Sequence, residues 1–229
     1  MKRIVIIILL VMHSNSFGQE LDGVWMSYNN RIVDKNEQYT SGQEGFILDF
    51  TNNTFGHIGS DSVVTFKRRK NTLRIVGFDK RIPIKVFQND SIEFPPSGNM
   101  ISVFHKLDLE ASHDIAEKTI IKFLIRNKFD SMYEFLDVEF SSEQFWLDKM
   151  FGRKEGRLNL VNNTWKDDDG YWYLKEINNV YFLIFAPGQI EEKHIFQILE
   201  MNENRMKLKP LQDRAFYPKR LTELRPSIK

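Results

Sequence analysis

Residues 62–87 read SVVTFKRRKNTLRIVGFDKRIPIKVF. Apolar side chains recur at every second position through Ser62 to Lys67, Leu73 to Phe78 and Ile82 to Phe87. That period turns one face of an extended chain toward a core. Val, Ile and Phe dominate these runs, as suits a pleated, half-buried surface. The link Arg69-Lys70-Asn71 is polar and too short for a crossover, so neighbouring runs are expected to pair as antiparallel hairpins. Working outward, the same pattern holds from Leu21 to Leu107, with further runs at Phe46 to Phe50, Ile92 to Phe94 and Ile101 to Phe104. Thr51-Asn52-Asn53 and Gln88-Asn89-Asp90 are again short polar links. The segment predicts a β meander.

The period changes at Ser112. Ala116, Ile120, Phe123 and Leu124 fall on one helical face, while Asp114, Lys118, Lys122 and Arg126 form a polar stripe at four-residue spacing. An amphipathic helix is expected over 112–127. Ser131 with Glu134, and Ser141 with Gln144, have capping-box spacing and predict two shorter helices before Gly152, although Val138 to Phe140 reads equally well as extended. From Leu158 the strand pattern returns at Tyr171 to Ile177, Val180 to Phe185, Ile195 to Met201, Met206 to Leu208 and Ala215 to Tyr217. The layout is mainly β, with a helical segment between two β regions. An offset of 114 aligns Ile84 with Ile198, Ile92 with Met206, Phe94 with Leu208 and Lys106 with Arg220; duplication and shared strand composition both explain such matches.

At the N-terminus, Lys2 and Arg3 precede nine apolar residues, Ile4 to Met12, and then His13 to Gly18. As a helix, nine residues span about 13 Å against a hydrocarbon core of roughly 30 Å. Residues 1–18 are therefore expected to be a secretory signal peptide, with Ser16 and Gly18 at the cleavage site and Gln19 as the new terminus. The mature protein is expected to be periplasmic or extracellular. Later in the chain the richest apolar run, Val180 to Ala186, has seven residues, so no transmembrane segment is expected in the mature form. The chain has no cysteine, which rules out a thioether-linked lipid, a disulfide or a thiolate metal site. With 32 basic and 31 acidic residues, overall charge gives no case for nucleic acid or an anionic membrane surface.

Both β regions open with a tryptophan and end with a basic residue followed by leucine. Leu21-Asp22-Gly23-Val24-Trp25 resembles the Gly-x-Trp that starts the first strand of lipocalin-like domains, here those of secreted bacterial proteins. The resemblance implies an up-and-down barrel that holds a small apolar ligand. It also implies that a basic side chain of the last strand packs over the tryptophan ring. Lys106 stands at that place. The later region repeats the pattern as Asn163-Thr164-Trp165 and Arg220-Leu221, with asparagine in place of glycine. Trp25 with Lys106 and Trp165 with Arg220 are thus expected to be structural barrel-end pairs.

Other clusters read as structure. Asp167-Asp168-Asp169-Gly170 with Glu176 has part of a calcium-loop spacing, but Trp165 would hold the first ligand position and the flanks read as strands, so a hairpin turn is preferred. Ser112-His113-Asp114 has the residue types of a hydrolytic triad, yet neighbours at a helix start point apart; Ser112 is read as an N-cap. His57, His105 and His194 lack ligand spacing, so no metal site is expected. Lys67 to Lys70 is read as a solvated hairpin tip with phosphate or polyanion binding as the other reading. Trp165, Tyr171, Trp172, Tyr173, Tyr181, Phe182 and Phe185 form either packed core with cross-strand pairs or an aromatic binding surface.

These readings divide the chain into a signal peptide (1–18), an N-terminal lipocalin-like β domain (19–108), a helical connecting segment (109–155) and a smaller C-terminal β segment (156–229). The function expected is that of an exported, non-catalytic protein that binds a small hydrophobic molecule or serves as a cell-envelope accessory factor, without a cofactor. Inward residues Phe46, Phe66, Phe78, Phe87, Phe182 and Phe185 are the expected ligand contacts. The alternative is an interaction or inhibitor module that grips another envelope protein through exposed strands and the amphipathic helix.

Overall fold

The computed structural model describes residues 21–33, 38–39, 45–78, 80–87, 91–109, 115–133, 136–144, 156–161, 170–186, 194–211 and 223–226. The alternating segment folds into strands β1 (Val24–Ile32), β2 (Gln38–Tyr39), β3 (Phe46–Asp49), β4 (Thr54–His57), β5 (Val63–Arg69), β6 (Thr72–Ile75), β7 (Arg81–Pro83), β8 (Lys85–Phe87), β9 (Ser91–Glu93) and β10 (Met100–Lys106). All pairings are antiparallel, in the order β7-β6-β5-β4-β3-β1-β10-β9-β8, with β2 beside β1. The two ends of that path, β7 and β8, are separated in sequence by Ile84 alone. Residues 81–87 thus pair with β6 through their first half and with β9 through their second, which nearly closes the sheet into a barrel. Their side chains keep strict alternation: Ile82, Ile84 and Val86 join the interior cluster, whereas Arg81, Lys85 and Phe87 are exposed.

A second sheet contains β11 (Lys128–Tyr133), β12 (Leu136–Gln144), β13 (Gly156–Val161), β14 (Gly170–Ile177), β15 (Val180–Ala186), β16 (His194–Asn202), β17 (Arg205–Pro210) and β18 (Glu223–Leu224), paired in sequence order. A bridge between Phe129 and Pro226 joins its first and last members. Helix α1 (Glu117–Arg126) fills the space the sheet encloses, with Ile120, Phe123 and Leu124 buried against Trp172, Leu183, Phe196 and Met206. Glu117 in its first turn and Arg126 in its last complement the helix dipole, and Asn127 Nδ2 donates to Phe123 O at 2.8 Å.

Several expectations are corrected here. The helix starts at Glu117 with Ala116 as its uncapped N-cap, and residues 112–114 lie outside the described residues. The two short helices expected around Ser131 and Ser141 are the strands β11 and β12. Capping-box spacing is a local signal, and burial of Phe129 and Phe140 against the helix overrides it. Residues 109–155 are consequently more than a helical connection: they supply the core helix and two strands of the second sheet. Ile120, Phe123 and Leu124 of α1 are buried in that core. Among the described residues no helix is long and apolar enough to cross a membrane.

The two sheets meet back to back. Val24, Met26, Ile58 and Leu107 from the first share one buried cluster with Tyr173, Val180, Phe182, Ile184 and Ile195 from the second. Polar contacts ring it: Lys175 Nζ donates to Ser60 O at 3.1 Å and pairs with Asp61 Oδ1 at 2.8 Å, and Gln197 Nε2 donates to Asp108 O at 2.8 Å. Phe182, fully buried here, is expected to cost about 3–5 kcal/mol when replaced by alanine. Chemical denaturation measures this; a loss below about 1 kcal/mol would remove Phe182 from the joint between the sheets.

Candidate functional site

The interior of the first sheet is packed at one end and hollow at the other. At the packed end Trp25 meets Phe50 edge to face at 6.3 Å, Phe50 meets Phe66 at 5.4 Å, and Leu48 and Leu73 fill the remaining space. At the other end a line of rings runs across the sheet: Phe46 stacks on Phe55 at 5.6 Å, Phe55 faces Phe94 at 6.5 Å, and Phe94 meets Phe104 at 4.6 Å. Gly56, Ser60, Ser62 and Ser102 also line this end, which holds a cavity of about 620 Å³. Ile75 and Ile82 complete its apolar wall, while Phe78, 63 % exposed, and Lys80 stand at the mouth. The wall is therefore apolar, with few polar groups; His57 is one of them, and its Nδ1 accepts from Gly59 N at 2.9 Å. Linings of this kind favour apolar occupants through area burial.

Of the expected ligand contacts, Phe46 and Phe78 line this cavity. Phe66 is buried in the packed end of the same interior. Phe87 is a correction: it follows Ile82, Ile84 and Val86 at odd spacing, so the pleat turns it outward, and it is 44 % exposed. Phe182 is a second correction, since it faces the joint between sheets. Phe185 stands opposite Trp172 in β15, and its side chain lies outside the described ones. Phe55, Phe94, Phe104 and Lys80 were not among the expected contacts. The alternation that marked Phe46 and residues 101–104 carried the signal for the phenylalanines; Lys80 had none. Trp165, Asp167 to Asp169, Ala215 to Tyr217 and Arg220 lie outside the described residues, so the second barrel-end pair and the candidate calcium loop do too.

Trp25 is 1 % exposed and lies opposite Lys106 where the first and last strands pair. Gly23, at φ +75°, makes the turn into β1, and a Cβ there would meet Lys106 Cε at 3.2 Å. The Trp25 Nε1–H donates to Asp22 O at 2.9 Å, and Lys106 Nζ bonds Asp22 Oδ1 at 2.5 Å. The ammonium is thus held by a carboxylate. Among the described residues, the cation stationed over a ring is Arg68, whose guanidinium carbon is 5.7 Å from the Phe50 centroid.

Trp25→Ala is expected to lower stability by about 3–5 kcal/mol in denaturant unfolding, because it opens the packed end. The hydrogen bond from Lys106, and then its charge, hold the Asp22 carboxyl below its ordinary value near 3.8. A depressed folded pKa stabilises above the unfolded pKa and is lost as pH falls through the folded one. The unfolding midpoint of Lys106→Met should therefore fall short of wild type above about pH 4, with the gap closing at lower pH. A gap constant with pH would show that the ammonium and Asp22 are not coupled.

Compared with models of known protein families, with curated proteins and with solved structures, the chain matches none.

Proposed function

We propose that this is an exported, non-catalytic, lipocalin-like protein that binds a small hydrophobic molecule in its first barrel. The observation that carries the reading is the cavity of about 620 Å³ lined by Phe46, Phe55, Phe94 and Phe104. Its size falls in the range of small-molecule sites, and its lining matches an apolar occupant. The meander whose first and last strands pair, with Gly23, Trp25 and Lys106 together at its packed end, supports the lipocalin-like part of the proposal. The basic, then apolar, then small-residue order of residues 2–18 supports export to the periplasm or beyond.

The test begins with protein recovered from the cells that make it, weighed by native mass spectrometry and then extracted with organic solvent. A stoichiometric apolar molecule is the expected result. In parallel, the neutral probe N-phenyl-1-naphthylamine should bind with enhanced fluorescence. Ser102→Trp places an indole in the hollow end and should weaken probe binding more than about tenfold, 1.4 kcal/mol or more, with the unfolding midpoint retained. Equal probe binding by wild type and Ser102→Trp, together with an empty extract, would overturn the proposal.

A further inference from the structure

The near-balance of total charge conceals a local excess. Between residues 62 and 87 the chain carries eight basic side chains and one acid, Asp79. The fold gathers part of this excess into one row. Strand register sets Lys67 opposite Arg74 and Arg74 opposite Arg81, so three cations from β5, β6 and β7 lie side by side, and all three are exposed on the outer face. Three exposed cations on one face match the charge of an anionic surface laid across it.

The same face continues into an apolar rim. Val76 N donates to Thr65 O at 2.8 Å, which seats Val76 beside Thr65, with Val63 two residues further along that face. Val63 is 60 % exposed and Val76 52 %. Among the described residues seven large apolar side chains are exposed, and four of them, Val63, Val64, Val76 and Phe78, crowd this rim. Val64, Phe78 and Lys80 also line the cavity mouth. Asp61, next to this rim, is paired with Lys175 and so subtracts little from the positive field. Apolar side chains beside a cationic row suit the headgroup boundary of a bilayer, where the first insert and the second meet anionic lipid. A nucleic acid or polysaccharide would use the cations and leave the valines in water.

We propose that the outer face of β5, β6 and β7, with the rim at Val63, Val76 and Phe78, docks on an anionic lipid bilayer and sets the cavity mouth against it. The docking does not depend on whether the cavity holds a ligand.

The test is co-sedimentation of protein recovered from its producing cells with vesicles of phosphatidylethanolamine and phosphatidylglycerol, and with vesicles of phosphatidylcholine alone. Binding is expected on the first, weak on the second, and reduced by salt well above about 0.1 M. Lys67→Glu/Arg74→Glu/Arg81→Glu should weaken it by on the order of a hundredfold or more, given the contribution of each basic side chain near such a surface. Val63→Ser/Val76→Ser/Phe78→Ser should weaken it more than tenfold while leaving its salt dependence. Circular dichroism checks that both variants fold. Should either fail, amide exchange of the wild type supplies the second readout, with new protection on phosphatidylglycerol vesicles expected within residues 62–82. Absence of binding, binding that both variants retain, or protection elsewhere would overturn the proposal. Binding to heparin as tight as to the vesicles, and indifferent to the serine variant, would make the face a general polyanion site and overturn it as well.

Discussion

Alternate side chains of β1 are buried in two different cores, and the arrangement of both sheets depends on this double burial. Trp25 enters the interior of the first barrel, while Val24 and Met26 on either side of it enter the joint with the second sheet. β15 is constrained in the same way: Leu183 meets the helix, and Phe182 and Ile184 meet β1. At Val24 to Ser27 and at Phe182 to Ile184 these strands have no solvent face, and a register slip of one residue would exchange the contents of both cores. Each sheet therefore supports the other, and the boundary between them is itself core.

The two sheets are the same kind of meander with different contents. In the second, α1 supplies Ile120, Phe123 and Leu124 and leaves an interior of packed side chains. In the first, no helix enters among the described residues, and interior bulk comes from the strands and the residues that flank them. Side chains converge where Trp25, Phe50 and Phe66 meet, and the cavity lies where Phe46, Phe55, Phe94 and Phe104 share the lining with Ser60, Ser62 and Ser102.

This explains what the sequence disclosed and what it did not. Strands were legible where one face is wet, as in 81–87, where Ile82, Ile84 and Val86 alternate with exposed neighbours. Phe87 has the aromatic character of a lining residue but the parity of an outward one. Val180 to Phe185 is apolar at each position, so periodicity reports burial without saying which core each side chain enters, and Phe182 was assigned to the wrong one. β11 is masked by capping-box spacing, a signal that acts over four residues and yields to pairing across the sheet; for β12 the extended reading of Val138 to Phe140 is the one the sheet realises. The hollow itself needs residues from several strands at one level, and such coincidence is invisible along a single strand. The aligned residues of the two β regions, Ile84 with Ile198, Ile92 with Met206 and Phe94 with Leu208, do face the interior of their own sheets in both cases.

Charge follows the same logic. Summed over the chain, basic and acidic residues nearly cancel, and the sum speaks to solubility rather than to any one face. Hairpin register decides what a partner meets, because it turns residues 67, 74 and 81, far apart in sequence, into neighbours. The sheet that opens its interior through Phe78 and Lys80 is also the sheet that concentrates exposed cations and exposed apolar side chains beside that opening. The second sheet buries a helix in its interior, and outward residues of β14, β15 and β16 enter the joint. Among the described residues, the two meanders thus differ in content: the first holds the cavity and the exposed cationic row, and the second holds the buried face of a helix.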